Sequence, residues 1–203
     1  MGGKRSPEAR DERRAQLVAA AQQVFGEKGY HAATVDDITR AASVAKGTFY
    51  LYFQEKREVY YEVVAGFFRL IMDIGGSVAK EAVGGDFLAR AERAAQEILQ
   101  VFLANRELAR LAHRDSMGRD PDLEKLVRGF YRELAEVEAA NIRRGVELGL
   151  IRDDADPMLT AYAHIGMAER LLLQLLDDPR DLPPPKVLVR EMVRLAFVGL
   201  VRT

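Results

Sequence analysis

The chain of 203 residues has no cysteine. Disulfides and thiolate catalysis are therefore excluded, and nothing in the cysteine usage suggests export. The N-terminus is charged and lacks the apolar core of a signal peptide. The longest apolar run, Leu171–Leu176, is interrupted by Gln174 and is far too short to span a bilayer. These absences predict a cytoplasmic protein with no membrane partner. There is no HExxH, CxxC, phosphate-binding Walker loop or GxGxxG. His31 and His164 each stand alone, as satisfied surface or core histidines usually do. The acidic stretch "DSMGRDPD" (115–122) lacks the alternate-position spacing of a calcium loop. Asp36-Asp37, Asp153-Asp154 and Asp177-Asp178 are sequence neighbours at helix starts or loops, not convergent acid/base pairs. No catalytic residue, metal site or cofactor is expected.

What is present is ordinary in bulk and uneven in distribution. Apolar residues make up 48% and charged residues 30%, as in a soluble globular protein long enough to bury a core. The net charge is only −1, but residues 1–57 hold ten Lys/Arg against seven Asp/Glu and residues 58–203 hold twenty against twenty-four. The mild basic character sits in the first quarter, the sign a DNA-facing end would carry.

Nearly every segment reads as helix, and no β-alternation of useful length or internal repeat occurs. From Arg10 to Lys28, Leu17, Ala21, Val24 and Phe25 recur at helical spacing and Gly29 follows as a stop. Thr34, with Asp37 three residues on, caps a short helix through Ala42 in an approximate capping box. A second short helix runs from about Lys46 to Tyr52, and Gln54 or Glu55 opens a longer one. Gly75-Gly76 and Gly84-Gly85 are expected to punctuate a loop region. Later helices are expected at roughly 86–104, 106–117, 121–149, 156–177 and 185–202, with Pro121 and Pro157 in first turns. The fold class is all-α, about nine helices.

A helix, a Thr-capped short helix, a three-residue turn and a second short helix are the layout of a helix-turn-helix. In "KGTFYLYFQEK" (46–56), Phe49 and Phe53 lie four apart and share one helical face, while Tyr50 and Tyr52 fall off it. The phenylalanines suit core packing. Gly47 and Thr48 are small enough for close approach to base edges, and Lys46, Tyr50, Tyr52 and Lys56 can grip phosphate. Lys4 and Arg5 form either an arm reaching phosphate or minor groove, or a solvated tail.

The stretch "TVDDITRAASVAKGTFYLYFQEKREVY" (34–60), preceded by "FGEKGY" (25–30), closely resembles the DNA-binding signature of TetR-type transcriptional regulators. The resemblance covers about 50 residues; the other 150 match only in length and helical organisation. It implies that Thr34 caps the first motif helix near a phosphate. It further implies that Lys46, Gly47, Thr48 and Tyr50 lie in or beside the major groove, with Tyr52 and Lys56 holding the backbone. A DNA-binding domain of residues 8–56, with its motif at 34–53, would precede a ligand-binding and dimerisation domain of residues 57–203. Three positions depart from the family pattern. Ser43 stands where Gly is common in the turn, and at φ > 0 would cost about 1 kcal/mol. Ala45 replaces the usual Ser or Thr cap of the recognition helix, again worth about 1 kcal/mol. Thr39 replaces a small apolar residue.

For the body, the resemblance implies an effector cavity among the middle helices and a dimer interface made by the last two. Leu171, Leu172, Leu175, Val193, Phe197 and Leu200 are the interface candidates, with an intramolecular core as the alternative. The cavity candidates are Phe67, Phe68, Met72, Leu99, Phe102, Met117, Phe130, Tyr131, Leu134, Tyr162 and Ile165, although any single such residue is more often ordinary core. Arg106, Arg110 and Arg114 recur every four residues beside His113. They form either a solvated face pairing with Glu107 or Asp115, or an anion site of the kind an acyl-coenzyme A effector needs. The expected function is a ligand-responsive regulator, most simply a repressor. It would bind a palindromic double-stranded operator as a homodimer and be released by a lipophilic small molecule. The alternatives are a DNA-binding dimer without effector, or a helical enzyme.

Overall fold

Proline and a capping side chain together start three of the long helices. Pro7, Pro121 and Pro157 occupy first-turn positions, and Ser6, Asp120 and Asp156 accept the backbone N–H three residues on at 3.3, 3.1 and 2.8 Å. The proline gives up an N–H that would have had no helical partner, and the cap satisfies another. The computed structural model describes residues 6–81, 86–115, 120–178 and 183–198. Among them run nine helices: α1 (Pro7–Lys28), α2 (Val35–Ala41), α3 (Lys46–Phe49), α4 (Lys56–Glu81), α5 (Phe87–Ala104), α6 (Arg106–Asp115), α7 (Pro121–Glu147), α8 (Pro157–Asp177) and α9 (Pro185–Val198). The Lys4–Arg5 arm, Gly84-Gly85, Met117, Leu200 and the Phe197 side chain lie outside the described residues.

Two compact units result. One comprises Met1–Phe67 with Glu107–Ala112, the other Phe68–Arg106 with His113–Thr203. In the first, Leu17, Ala21, Ile38, Phe49, Phe53 and Val59 are at most 1% exposed. Phe25, Tyr30 and Tyr60 meet edge-on or tilted, with ring centroids 4.6 to 6.0 Å apart. Gly29, at φ 75°, ends α1 and returns its N–H to the Phe25 carbonyl at 3.0 Å.

In the second unit α7 packs on α8 and α5 on α9. One cluster gathers Phe87, Ala135, Ala139, Ile142, Ile151 and Ala161. Gly145 is required there, because a Cβ would lie 2.5 Å from Ile151 Cδ1. Gly149, at φ 70°, closes α7 in a Schellman turn: Leu150 N–H bonds the Gly145 carbonyl and Gly149 N–H the Val146 carbonyl, each at 2.9 Å.

The expected loop at Gly75-Gly76 is instead helix: both glycines lie inside α4. Glycine's weak helix propensity is overridden by the α7 residues packed on that turn, including Val137.

The capping box at α2 is complete. Thr34 Oγ1 accepts the Asp37 N–H at 3.1 Å, and Asp37 Oδ2 accepts the Thr34 N–H at 3.1 Å and its hydroxyl at 2.8 Å. Lys28 Nζ donates to the other oxygen, Oδ1, at 2.6 Å. Donation from Lys28, then from Thr34, holds this carboxyl at about 2, against an ordinary 3.8. A folded-state value below the unfolded one stabilises the fold fully above about pH 4, and that contribution is lost as pH falls through about 2. Asp37→Asn should therefore flatten the acid limb of the stability curve between pH 4 and 2. Denaturant titrations across that window would check it, an unchanged slope refuting the assignment.

Candidate functional site

The recognition segment is set by its two phenylalanines. Phe49 and Phe53 are 0% and 1% exposed with rings 5.5 Å apart, and the Arg14 guanidinium stands 4.5 Å over the Phe53 ring. Arg14 also donates to the Tyr52 carbonyl at 3.0 Å and pairs with Glu62. With one face of the segment held in this way, the other is open. Lys46, Gly47, Tyr50 and Leu51 are exposed, Tyr50 by 52% and Leu51 by 69%; Thr48 and Tyr52 are half-buried. The regular part of α3 is only four residues, and 50–52 continue as tight turns from Thr48 and Phe49.

Gly47 has no internal reason to be glycine. Its φ is not positive, and a Cβ built there would meet nothing within 4 Å. A glycine in a helix costs about 1 kcal/mol, and nothing inside the chain accounts for it here. Leu51 is not predicted by the sequence pattern, because an apolar residue in an aromatic block reads as core. Its position between the two off-face tyrosines is the signal that could have found it. An exposed leucine beside Tyr50 can meet thymine methyl groups in a major groove.

Cations at the site are already engaged. Lys46 Nζ lies 2.9 Å from Asp36 Oδ1, which raises the lysine's pKa. Both side chains are more than half exposed, so this is a weak pair that a phosphate could replace. Lys56 does not project freely as a phosphate grip. Its ammonium donates to the Tyr30 carbonyl at 2.6 Å and the Ala33 carbonyl at 2.7 Å, and stands 4.4 Å over the Tyr30 ring. Partial burial lowers its pKa. Two of its three donors tie the α1–α2 connection to the start of α4, leaving one for a phosphate.

The three departures from the family pattern all have structural counterparts. Ser43 has φ 52°, the one positive φ among described non-glycine residues. Ala45 caps α3 without a side-chain bond. Thr39 is 4% exposed and turns its hydroxyl to the Asp36 carbonyl at 3.2 Å. Ser43→Gly should stabilise the protein by up to about 1 kcal/mol by removing left-handed strain. A lowered denaturation midpoint would contradict that.

In the body the structure redistributes the expected residues. Leu175 is 4% exposed and joins Leu99, Leu188 and Val189 in a core cluster, with Leu171, Leu172 and Val193 packed against it. Of these interface candidates Leu175 is buried, while Leu171, Leu172 and Val193 are half-buried. Tyr162, expected to line a cavity, is 53% exposed, and with Leu159, Ala163 and Gly166 it makes an outward stripe on α8. Both faces of α8 are apolar, so periodicity could not say which turns inward.

Of the cavity candidates, Phe68 and Phe130 stack at 3.9 Å and 8°, Ile165 packs on the Ile142 cluster, and Phe67 is buried within the first unit's span. Met72, Phe102 and Leu134 are half-buried. The Tyr131 hydroxyl donates to Glu169; burial, then Glu169, pushes its pKa up, so the phenol stays protonated. His113 Nδ1 lies 3.7 Å from the same Glu169 oxygen. The arginine stripe is not one array: Arg106 reaches the Leu176 carbonyl at 3.5 Å, while Arg110 pairs with Glu107 at 3.5 Å. Among the described residues no three His, Asp or Glu gather as a metal site, and no helix is long and apolar enough to cross a membrane.

Comparison with known proteins agrees with this geometry. Residues 17–63 match the family model of bacterial regulatory proteins of the tetR family. The transcriptional repressor KstR2 of Mycobacterium tuberculosis is 31% identical over 150 residues, spanning 71% of this chain and 72% of that protein. The fold matches the fatty acid degradation regulator FadR of Bacillus halodurans (TM-score 0.74, 24% identity, 98% of this chain and 100% of that one). It also matches FadR of Bacillus subtilis in complex with stearoyl-CoA (0.72, 18%, 92% and 98%). A helix-turn-helix with an open recognition face, in a chain similar to KstR2 over more than two thirds of its length, belongs to the TetR family and is a DNA-binding transcriptional regulator.

Proposed function

We propose that this regulator is a repressor that binds a near-palindromic operator as a homodimer and is released by a lipophilic effector of the acyl-coenzyme A class. Residues 8–56 form its DNA-binding domain and residues 57–203 its effector and dimerisation domain. The observation that carries the reading is the exposed Lys46, Gly47, Tyr50 and Leu51 surface held out by buried Phe49 and Phe53. Gly47, Thr48, Tyr50 and Leu51 meet base edges; Thr34, Lys46, Tyr52 and the remaining Lys56 donor meet phosphates. Two copies would present their recognition segments to successive major grooves about 34–36 Å apart.

The outward α8 stripe of Leu159, Tyr162, Ala163 and Gly166, with Val187 and Leu195 of α9, supplies the apolar surface for the dimer. Repression is supported by KstR2, and an acyl-coenzyme A effector by the stearoyl-CoA complex of the B. subtilis FadR. An effector entering beside Phe68 and Phe130 would have to part their stacked rings. An anionic head group at Arg106 and His113 would displace the Leu176 carbonyl and Glu169. It releases DNA only through different affinities for the two arrangements.

Selection of duplexes from a random library by the full-length protein tests this directly. Enrichment of inverted half-sites, weakened by Tyr50→Ala and dissociated by micromolar stearoyl-CoA, is the expected result. If no sequence is enriched the reading fails. If stearoyl-CoA leaves the selected complex intact, the effector assignment fails and a body that only dimerises is favoured.

A further inference from the structure

One carboxylate stands beside the face that approaches DNA. Asp36, in the first turn of α2, is exposed, and its Oδ1 lies 2.9 Å from the ammonium of Lys46, which opens the recognition segment. The neighbouring Asp37 has a structural duty, closing the capping box with Thr34 and receiving Lys28. Asp36 takes no part in that box, and its pair with Lys46 is weak because both side chains are 56% exposed. Fold stability therefore gives no account of an acid at this position.

The same acid opposes DNA binding in general. Affinity for a duplex of arbitrary sequence comes almost wholly from cations that meet phosphates and release counterions. A Lys46 already neutralised by Asp36 contributes little of this, and once Lys46 moves to a phosphate the bared carboxylate faces a polyanion. Other cations of the unit are engaged as well: Lys56 with the Tyr30 and Ala33 carbonyls, Lys28 with Asp37, and Arg57 with Glu55. Such a surface grips phosphate poorly unless something else holds it in register.

A bared carboxylate finds a partner at one kind of base edge. It accepts hydrogen bonds and donates none. In the major groove guanine and thymine confront it with acceptors, and adenine sets the N7 acceptor beside its amino group. Cytosine presents the N4 amino group as a donor.

We propose that Asp36 is a specificity-determining residue: it holds Lys46 back from phosphate on unselected duplexes, and at a cognate half-site it releases Lys46 to the DNA and accepts the N4 amino group of a cytosine. The repulsion of the bared carboxylate is offset only where that cytosine stands, so Asp36 weakens binding to other sequences more than to the operator. The inference deepens the repressor reading and rests on its placement of DNA against the Lys46–Leu51 face.

Asp36→Asn in the full-length protein tests it, with the duplex selected by the wild type and with a random-sequence duplex. Asparagine keeps the shape and removes the charge. Random-duplex affinity should rise at least about fivefold, and the slope of log affinity against log salt should steepen by about 0.9 for each recognition segment engaged. The ratio of selected to random affinity should fall at least about tenfold. Reselection with the variant should replace one cytosine of each half-site by adenine, whose N6 and N7 suit an asparagine amide. In a Lys46→Gln background the same substitution should leave the salt slope unchanged, since no cation is freed. A slope that still steepens there would overturn the restraint of Lys46. Both affinities rising together, with the ratio and the selected bases unchanged, would reduce Asp36 to bulk charge and overturn the proposal, as would no change in either affinity. If the wild type enriches no duplex, the repressor reading falls, and an unchanged random-duplex salt slope in Asp36→Asn then overturns this proposal as well.

Discussion

Gly47→Glu should reduce affinity for the selected operator at least about 100-fold while leaving the protein as stable as wild type or slightly more so. Each interaction with a base edge is worth about 1–3 kcal/mol, and the substitution removes it at both half-sites of a dimer. The new carboxylate adds repulsion from phosphate. Nothing inside the chain opposes the substitution: φ at Gly47 is not positive, no atom lies within 4 Å of a Cβ built there, and glutamate is the better helix former. Affinity and thermal midpoint measured on the same preparation separate two explanations of this glycine. A structural glycine would lower the midpoint and spare binding; an interface glycine does the reverse. If Gly47→Glu binds the operator at wild-type strength, the exposed face of α3 is not where DNA sits.

Phe53→Ala should cost the DNA-binding unit about 3–5 kcal/mol, the range for removing a buried phenylalanine. Phe53 is 1% exposed and touches Phe49, and the Arg14 guanidinium covers its ring while bonding the Tyr52 carbonyl. Truncation opens a cavity and removes the surface on which Arg14 rests. Because the chain has two compact units, loss should register first as faster amide exchange across residues 7–53 rather than as one shared transition. Leu51→Ala is the control. Its side chain is 69% exposed, so stability should move by less than about 0.5 kcal/mol, although it stands two residues away. Equal losses in the two variants would show that the segment is not anchored by its phenylalanines.

Local patterns were legible in the sequence wherever one physical cause dominates. The proline starts of α7 and α8, the Thr34–Asp37 box and the split of "FYLYF" into buried phenylalanines and an outward Tyr50 follow from capping and helical periodicity, while Tyr52 is half-buried. Three features were hidden because they depend on what lies across the fold. Gly75 and Gly76 read as a break, yet both lie inside α4, with Val137 of α7 beside them. α8 is apolar on two sides, so Leu175 and Tyr162 exchange the places that hydrophobicity alone suggests. Lys56 has the right chemistry for phosphate, but carbonyls from residues 30 and 33, distant in sequence, claim its ammonium first. Among the site residues, side-chain type and helical phase were readable, whereas direction and prior engagement were not.

The two-sided α8 has a consequence for how stability is measured. A lone copy would leave Leu159 and Tyr162 in water at 71% and 53% exposure, while the inner leucines remain satisfied. Pairing through that stripe would then act as ligand binding to the folded state, and mass action makes the melting temperature climb with protein concentration. Dilution becomes a variable as telling as any substitution. A midpoint that does not move over a thousandfold range of concentration would mean that the stripe has no partner in solution.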